Sequence, residues 1–137
     1  MKIFELTLEA AAENLTPVMA FLEEHLEEAG CSLKAQMQIT VAAEEIYVNI
    51  AHYAYAPGTG EATVRMEITD DPVEVRITFI DRGMPFDPLA KPDPDVSLSA
   101  EERDIGGLGI YMVKKSMDDV RYAYRDGQNI LTLVKRI

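Results

Sequence analysis

Polar and apolar residues alternate along Lys2-Ile3-Phe4-Glu5-Leu6-Thr7-Leu8, the period of a half-buried strand. The period then lengthens. Thr16 before Pro17 reads as an N-cap and a first helical residue, and Val18, Phe21, Leu22 and Leu26 hold a helical spacing until Gly30 stops it, which predicts a first helix over 17–29. Ser32 caps a second predicted helix from about Leu33 to Tyr55, with Met37, Val41 and Val48 as its inward stripe and Pro57-Gly58 as its end. Two β-rich runs, Glu61 to Thr69 and Val73 to Ile80, joined by Asp70-Asp71-Pro72, read as a hairpin.

From Arg82 to Ile105 the regularity is lost, with Pro85, Pro88, Pro92 and Pro94 set among Asp and Ser. A loop of that length is uncommon unless it is functional or disordered, so it reads as a mobile lid over about 82–105, with a disordered insert as the alternative. A helix from about Leu108 to Met117 and two strands, Val120 to Tyr124 and Asn129 to Val134 across Asp126-Gly127, complete the chain. The order β-α-α-β-β-lid-α-β-β predicts an α+β fold: one domain over 1–137, a two-layer sandwich whose mostly antiparallel sheet is covered on one face by three helices.

Some polar residues fall where a core helix or a plain turn has no use for them. Glu45 and Asn49 are i and i+4 on the second helix, so they share a face; one can accept a proton and the other can offer an amide oxygen to a hard cation. Asp81 ends an apolar strand, in Asp81-Arg82-Gly83. Gly106-Gly107-Leu108-Gly109 would let backbone N–H groups approach phosphate oxygens near the start of a helix, and Arg103 ahead of it could grip phosphate with its guanidinium. Each feature has a duller reading when taken singly. Glu45 beside Glu44 could be a solvated charge, Asp-x-Gly an ordinary turn, Gly-Gly-x-Gly a hinge, Arg103 a solvated side chain and His52 a hydrogen-bonded structural residue. In sequence together, they read as an ATP site.

The chain resembles the ATP-binding domains of the gyrase, Hsp90, histidine-kinase and MutL superfamily, the Bergerat fold. Glu45-Ile46-Tyr47-Val48-Asn49 looks like its N box, Asp81-Arg82-Gly83 like its first glycine box and Gly107-Leu108-Gly109 like its second. The continuations Asn49-Ile50-Ala51-His52-Tyr53-Ala54-Tyr55, Met84-Pro85-Phe86-Asp87-Pro88 and Ile110-Tyr111-Met112-Val113 are closest to the stand-alone serine/threonine protein kinases that act as bacterial anti-sigma factors. The resemblance implies that Glu45 is the general base, that Asn49 ligates Mg²⁺, that Asp81 accepts from the adenine amino group and that Gly83 lets the chain pass close to the base. Arg103, Gly106, Gly107, Leu108 and Gly109 would meet the phosphates. Many relatives place a Thr near the start of the last strand to help hold adenine; Gln128-Asn129 stand there here.

Charge narrows the partners. A net charge of −11 argues against nucleic acid, whose phosphates are bound by clustered Lys and Arg, and requires a divalent cation if ATP is to be held. The lone Cys31 excludes an internal disulfide, and two scattered His argue against structural zinc. There is no apolar run of membrane-spanning length and no secretory pattern, so the expectation is a cytoplasmic protein without a membrane anchor. The sequence thus predicts an ATP·Mg²⁺-dependent serine/threonine kinase of the anti-sigma type, with an antagonist protein as phosphoacceptor and a sigma factor as second partner. A homodimer is left open. The alternatives are a nucleotide-gated interaction module without catalysis, or the detached ATPase domain of a two-component sensor.

Overall fold

A computed structural model describes residues 1–70, 72–90 and 107–137. The elements are β1 (Lys2–Glu9), α1 (Leu15–Glu28), α2 (Leu33–Asn49), β2 (Glu61–Thr69), β3 (Glu74–Asp81), α3 (Gly107–Ser116), β4 (Asp119–Arg125) and β5 (Gln128–Arg136). The five strands form one antiparallel sheet in the order β1-β2-β3-β5-β4. The chain is α+β, as its alternating and helical periods predict.

Strand alternation decides which face is covered. Val64, Met66, Val75, Ile77, Phe79, Leu131 and Leu133 point to one side and are buried under Val18, Leu22 and Leu26 of α1 and Ile39, Ala43 and Ile46 of α2. Each fully buried side chain of this size is worth about 1.5–3 kcal/mol. The opposite face carries polar cross-strand pairs, including Thr7 with Thr63 and Arg65 with Glu5.

Three sequence expectations shift. The first helix starts at Leu15 rather than at Pro17, because a 3₁₀ turn over Ala12–Asn14 leads into it, and Pro17 still falls in the first turn, where no N–H partner is lost. Its end follows a Schellman pattern, with Cys31 N–H donating to Leu26 and Gly30 N–H to Glu27. Ser32 caps α2 as predicted, its Oγ accepting from Ala35 N at 3.1 Å.

The second correction is the inward stripe of α2. Met37 is 57% exposed and Val41 63% exposed, whereas Ala35, Ile39, Ala42, Ala43, Ile46 and Tyr47 are buried. That set repeats at i, i+4, i+7, i+8, i+11 and i+12 and fits close to the sheet because three of its members are alanines. The bulkier stripe through Met37, Val41 and Val48 is displaced toward α3. Third, the helix changes to a π-helical turn over Ile50–Ala54 instead of continuing to Tyr55, which leaves His52 exposed and out of line with Glu45 and Asn49.

Candidate functional site

The site lies at one end of the sheet. Register puts Ala62 opposite Asp81 and Asp81 opposite Asn129, in one inward-facing row. Asp81 is only 5% exposed, and its Oδ1 accepts from Gly83 N at 2.8 Å and from Asn129 Nδ2 at 3.0 Å. These two donors compensate burial of the carboxylate. Asn129, 7% exposed, is the hub of this end: its Nδ2 also donates to the Met84 carbonyl at 3.0 Å, while its Oδ1 accepts from Phe86 N at 3.1 Å and from the Tyr122 hydroxyl. One amide therefore ties the strand-end carboxylate to the first residues of the loop. Burial pushes the Tyr122 phenol above its ordinary value.

The π-helical turn supplies the other wall. Met84 N donates to the Ala54 carbonyl at 2.8 Å, and Arg82 N donates to the Tyr55 hydroxyl at 2.7 Å. Tyr55 in turn donates to Glu61 O, and burial raises its pKa. Gly83 runs so close to this turn that a Cβ would collide with the Ala54 backbone. The demand for glycine at this position therefore has a protein neighbour as its cause.

On the outer side of the same helix, Asn49 Nδ2 lies 3.5 Å from Glu45 Oε1. A Cβ on Gly109, in the first turn of α3, would fall on the Glu45 carboxylate. The absence of a side chain at 109 thus lets a carboxylate sit against the start of a helix, where free N–H groups favour negative charge.

Between these walls opens a cavity of ≈ 130 Å³. Its lining is mostly apolar, from Ile46, Ile50, Phe79 and Leu131, with Asn49, Asp81 and Asn129 as polar points. Such a chamber suits a flat heteroaromatic base that needs a few directed hydrogen bonds.

The structure therefore brings Asn49 and Asp81 to one cavity, with Gly83 donating to Asp81 beside it and Glu45, against Asn49 and Gly109, outside it. Gly107 and Leu108 open α3, while Arg103, Gly106 and the part of the expected lid over 91–105 lie outside the described residues. Of Asn129, Tyr55 and Tyr122, the sequence points only to Asn129, as one of the pair standing where relatives place an adenine-holding Thr. Its contact with Asp81 comes from the pairing of β3 with β5, across 48 residues of sequence that include α3 and β4, so no local pattern reveals that contact.

Comparison with known proteins bears on the family and the fold. Residues 8–135 match the histidine kinase-like ATPase domain. The serine/threonine-protein kinase BtrW of Bordetella bronchiseptica is 28% identical over 128 residues, covering 93% of this chain and 89% of that protein. The serine-protein kinase RsbW of Listeria monocytogenes is 33% identical over 108 residues, 75% of this chain and 68% of its own length. Among solved structures, the RsbU and RsbW domains of Rv1364c from Mycobacterium tuberculosis superpose with a TM-score of 0.71 at 23% identity, over 99% of this chain and 32% of that one. The SiaB–SiaC complex of Pseudomonas aeruginosa gives a TM-score of 0.57 at 18% identity, over 96% of this chain and 89% of that one. With three boxes in order, the sheet and helices of that fold, and a match along almost its whole length, the chain belongs to the histidine kinase-like ATPases and, among them, to the anti-sigma serine/threonine protein kinases.

Proposed function

We propose that the chain binds ATP with Mg²⁺ in the cavity at Asp81 and transfers the γ-phosphoryl group to a Ser or Thr of an anti-sigma factor antagonist, and that it sequesters a sigma factor when it is not engaged with that antagonist. The observation that carries the reading is the position of Glu45: its carboxylate stands at the junction of Asn49 and the first turn of α3, beside the cavity rather than inside it. A base so placed can reach a hydroxyl arriving at the phosphate end of a nucleotide whose adenine lies toward Asp81.

Each residue then has one task. Two donors already occupy Asp81 Oδ1, which directs Oδ2 to the adenine amino group. Glu45 takes the proton of the acceptor hydroxyl as its oxygen bonds to the γ-phosphorus and ADP leaves. The first turn of α3 offers backbone N–H groups to the phosphates. Among the described residues no group of three or more His, Cys, Asp and Glu could hold a metal ion. Asn49 beside a single carboxylate is instead the sparse donor set that Mg²⁺ accepts when phosphates and water supply the remaining ligands. Mg²⁺ so held would neutralise charge on the phosphates.

Also among the described residues, no helix is long and apolar enough to cross a membrane. Calorimetric titration of adenine nucleotide with and without Mg²⁺ tests the site. Asp81→Asn should weaken binding in both conditions, and Asn49→Ala should remove mainly the Mg²⁺-dependent part. Normal affinity in both variants contradicts the assignment.

A further inference from the structure

A second depression lies on the far side of Glu45. Helices α2 and α3 border an open groove of ≈ 650 Å³ whose walls include Met37, Val41 and Val48 from α2 and Met112 from α3. Met37, Val41 and Met112 are each more than half exposed, at 57, 63 and 54%. These residues form the bulky apolar stripe that α2 does not bury, facing a matching residue on the next helix. Clustered, exposed Met and Val on neighbouring helices mark an interaction surface.

The position of the groove says what it is for. Asn49 borders the cavity at Asp81 but not the groove, while Glu45 and Gly109 border the groove but not that cavity. The Glu45–Asn49 pair is therefore the partition between two chambers. If the nucleotide fills one, a hydroxyl that reaches the carboxylate from outside arrives over the other. The groove also carries two carboxylates, Glu44 and Glu45, and no Lys or Arg. Its complement is an apolar segment flanked by basic residues.

We propose that the α2–α3 groove docks the phosphoacceptor protein, through an apolar segment with positive charge beside it, so that the acceptor Ser or Thr is delivered to Glu45. The inference rests on the phosphoryl-transfer reading above and adds the surface that recognises the acceptor.

The test uses the antagonist-type proteins encoded beside this chain as probes, with phosphoryl transfer followed from labelled ATP. The double variant Val41→Glu with Met112→Glu places two carboxylates on exposed positions, which leaves the core intact. It should raise KM for the acceptor about tenfold or more, the scale of losing a central interface contact, with nucleotide affinity and kcat at saturating acceptor retained. Ile3→Glu, on the outer face of the sheet, serves as the control and should leave KM unchanged. An unchanged KM in the double variant, or an equal rise in the control, overturns the proposal. So does a wild-type dimer, seen by sedimentation, that the double variant splits, because the groove is then filled by a second copy. A wild-type protein that phosphorylates none of the probes also overturns it, but by removing the transfer reading itself, a failure visible without any variant.

Discussion

Asn129→Ala isolates the most connected side chain of the site. Truncation removes the donor to Asp81 Oδ1 and Met84 O and the acceptor for Phe86 N and Tyr122. Asp81 keeps its bond from Gly83, so four partners, the Gly83 and Met84 carbonyls, Phe86 N and the Tyr122 hydroxyl, lose their contact with Asn129 and the carboxylate loses one of two donors. A buried group left unsatisfied costs about 1–3 kcal/mol, and the adjoining cavity admits water that offsets part of this, which points to roughly 3 kcal/mol in total. For a domain of this size that is a fall in Tm of roughly 10 °C. Adenine nucleotide affinity should fall about tenfold, because Asp81 is no longer held in one rotamer.

Asn129→Asp gives the sharper contrast. It replaces the amide donor 3.0 Å from Asp81 Oδ1 by a second carboxylate, so a lost donor is joined by repulsion between like charges. Urea unfolding of this variant at neutral pH should show a larger defect than Asn129→Ala. If Asn129→Ala unfolds within about 0.5 kcal/mol of wild type and binds nucleotide normally, the hub assigned to Asn129 is wrong.

Gly83→Ala should cost roughly 1–3 kcal/mol in urea unfolding, because the new methyl must displace the Ala54 backbone, and should weaken nucleotide binding by moving Asp81; a neutral substitution refutes the close approach. Burial raises the phenols of Tyr47, Tyr55 and Tyr122 above their ordinary value near 10. The folded state thus holds these protons more tightly than the unfolded one, so the associated stability is complete below pH 10 and is lost as pH rises through the folded values. Absorbance titration should show three of the six tyrosines ionising late, with a falling urea midpoint above pH 10; ionisation of all six together at their ordinary value contradicts this.

The parts of this fold that are legible in sequence are those set by near neighbours. Alternation in β1, the hairpin joining β2 and β3, the Ser32 cap and the Asp126-Gly127 turn each depend on residues a few positions apart, and each forms where expected. The buried face of α2 differs from the expected one for a physical reason. Alanines 35, 42 and 43 contribute little hydrophobicity by themselves, yet their small size lets the helix settle on the sheet, whereas the stronger signal of Met37 and Val41 belongs to the groove. The helix-breaking π turn carries no Gly or Pro to announce it. Glu45, Asn49, Asp81 and Gly83 stood out because charge and glycine interrupt apolar periods. Asn129 is marked only by its place near the start of the last strand, and the tasks of Asn129, Tyr55 and Tyr122 follow from strand pairing and chain crossing that only the folded molecule creates.

The account turns on Glu45 acting as the base of a transfer reaction rather than as part of a nucleotide-gated clamp. In the proposed function, nucleotide binding draws on Asp81, Asn49 and the first turn of α3, and proton removal draws on Glu45 alone. Phosphoryl transfer from ATP to the antagonist by Glu45→Ala, measured alongside its ATP affinity, is the most direct test. The account predicts near-normal affinity with transfer slowed about a hundredfold or more, the scale of a positioned general base. Transfer at the wild-type rate in Glu45→Ala, or a wild-type protein that binds ATP and phosphorylates no antagonist, would contradict it.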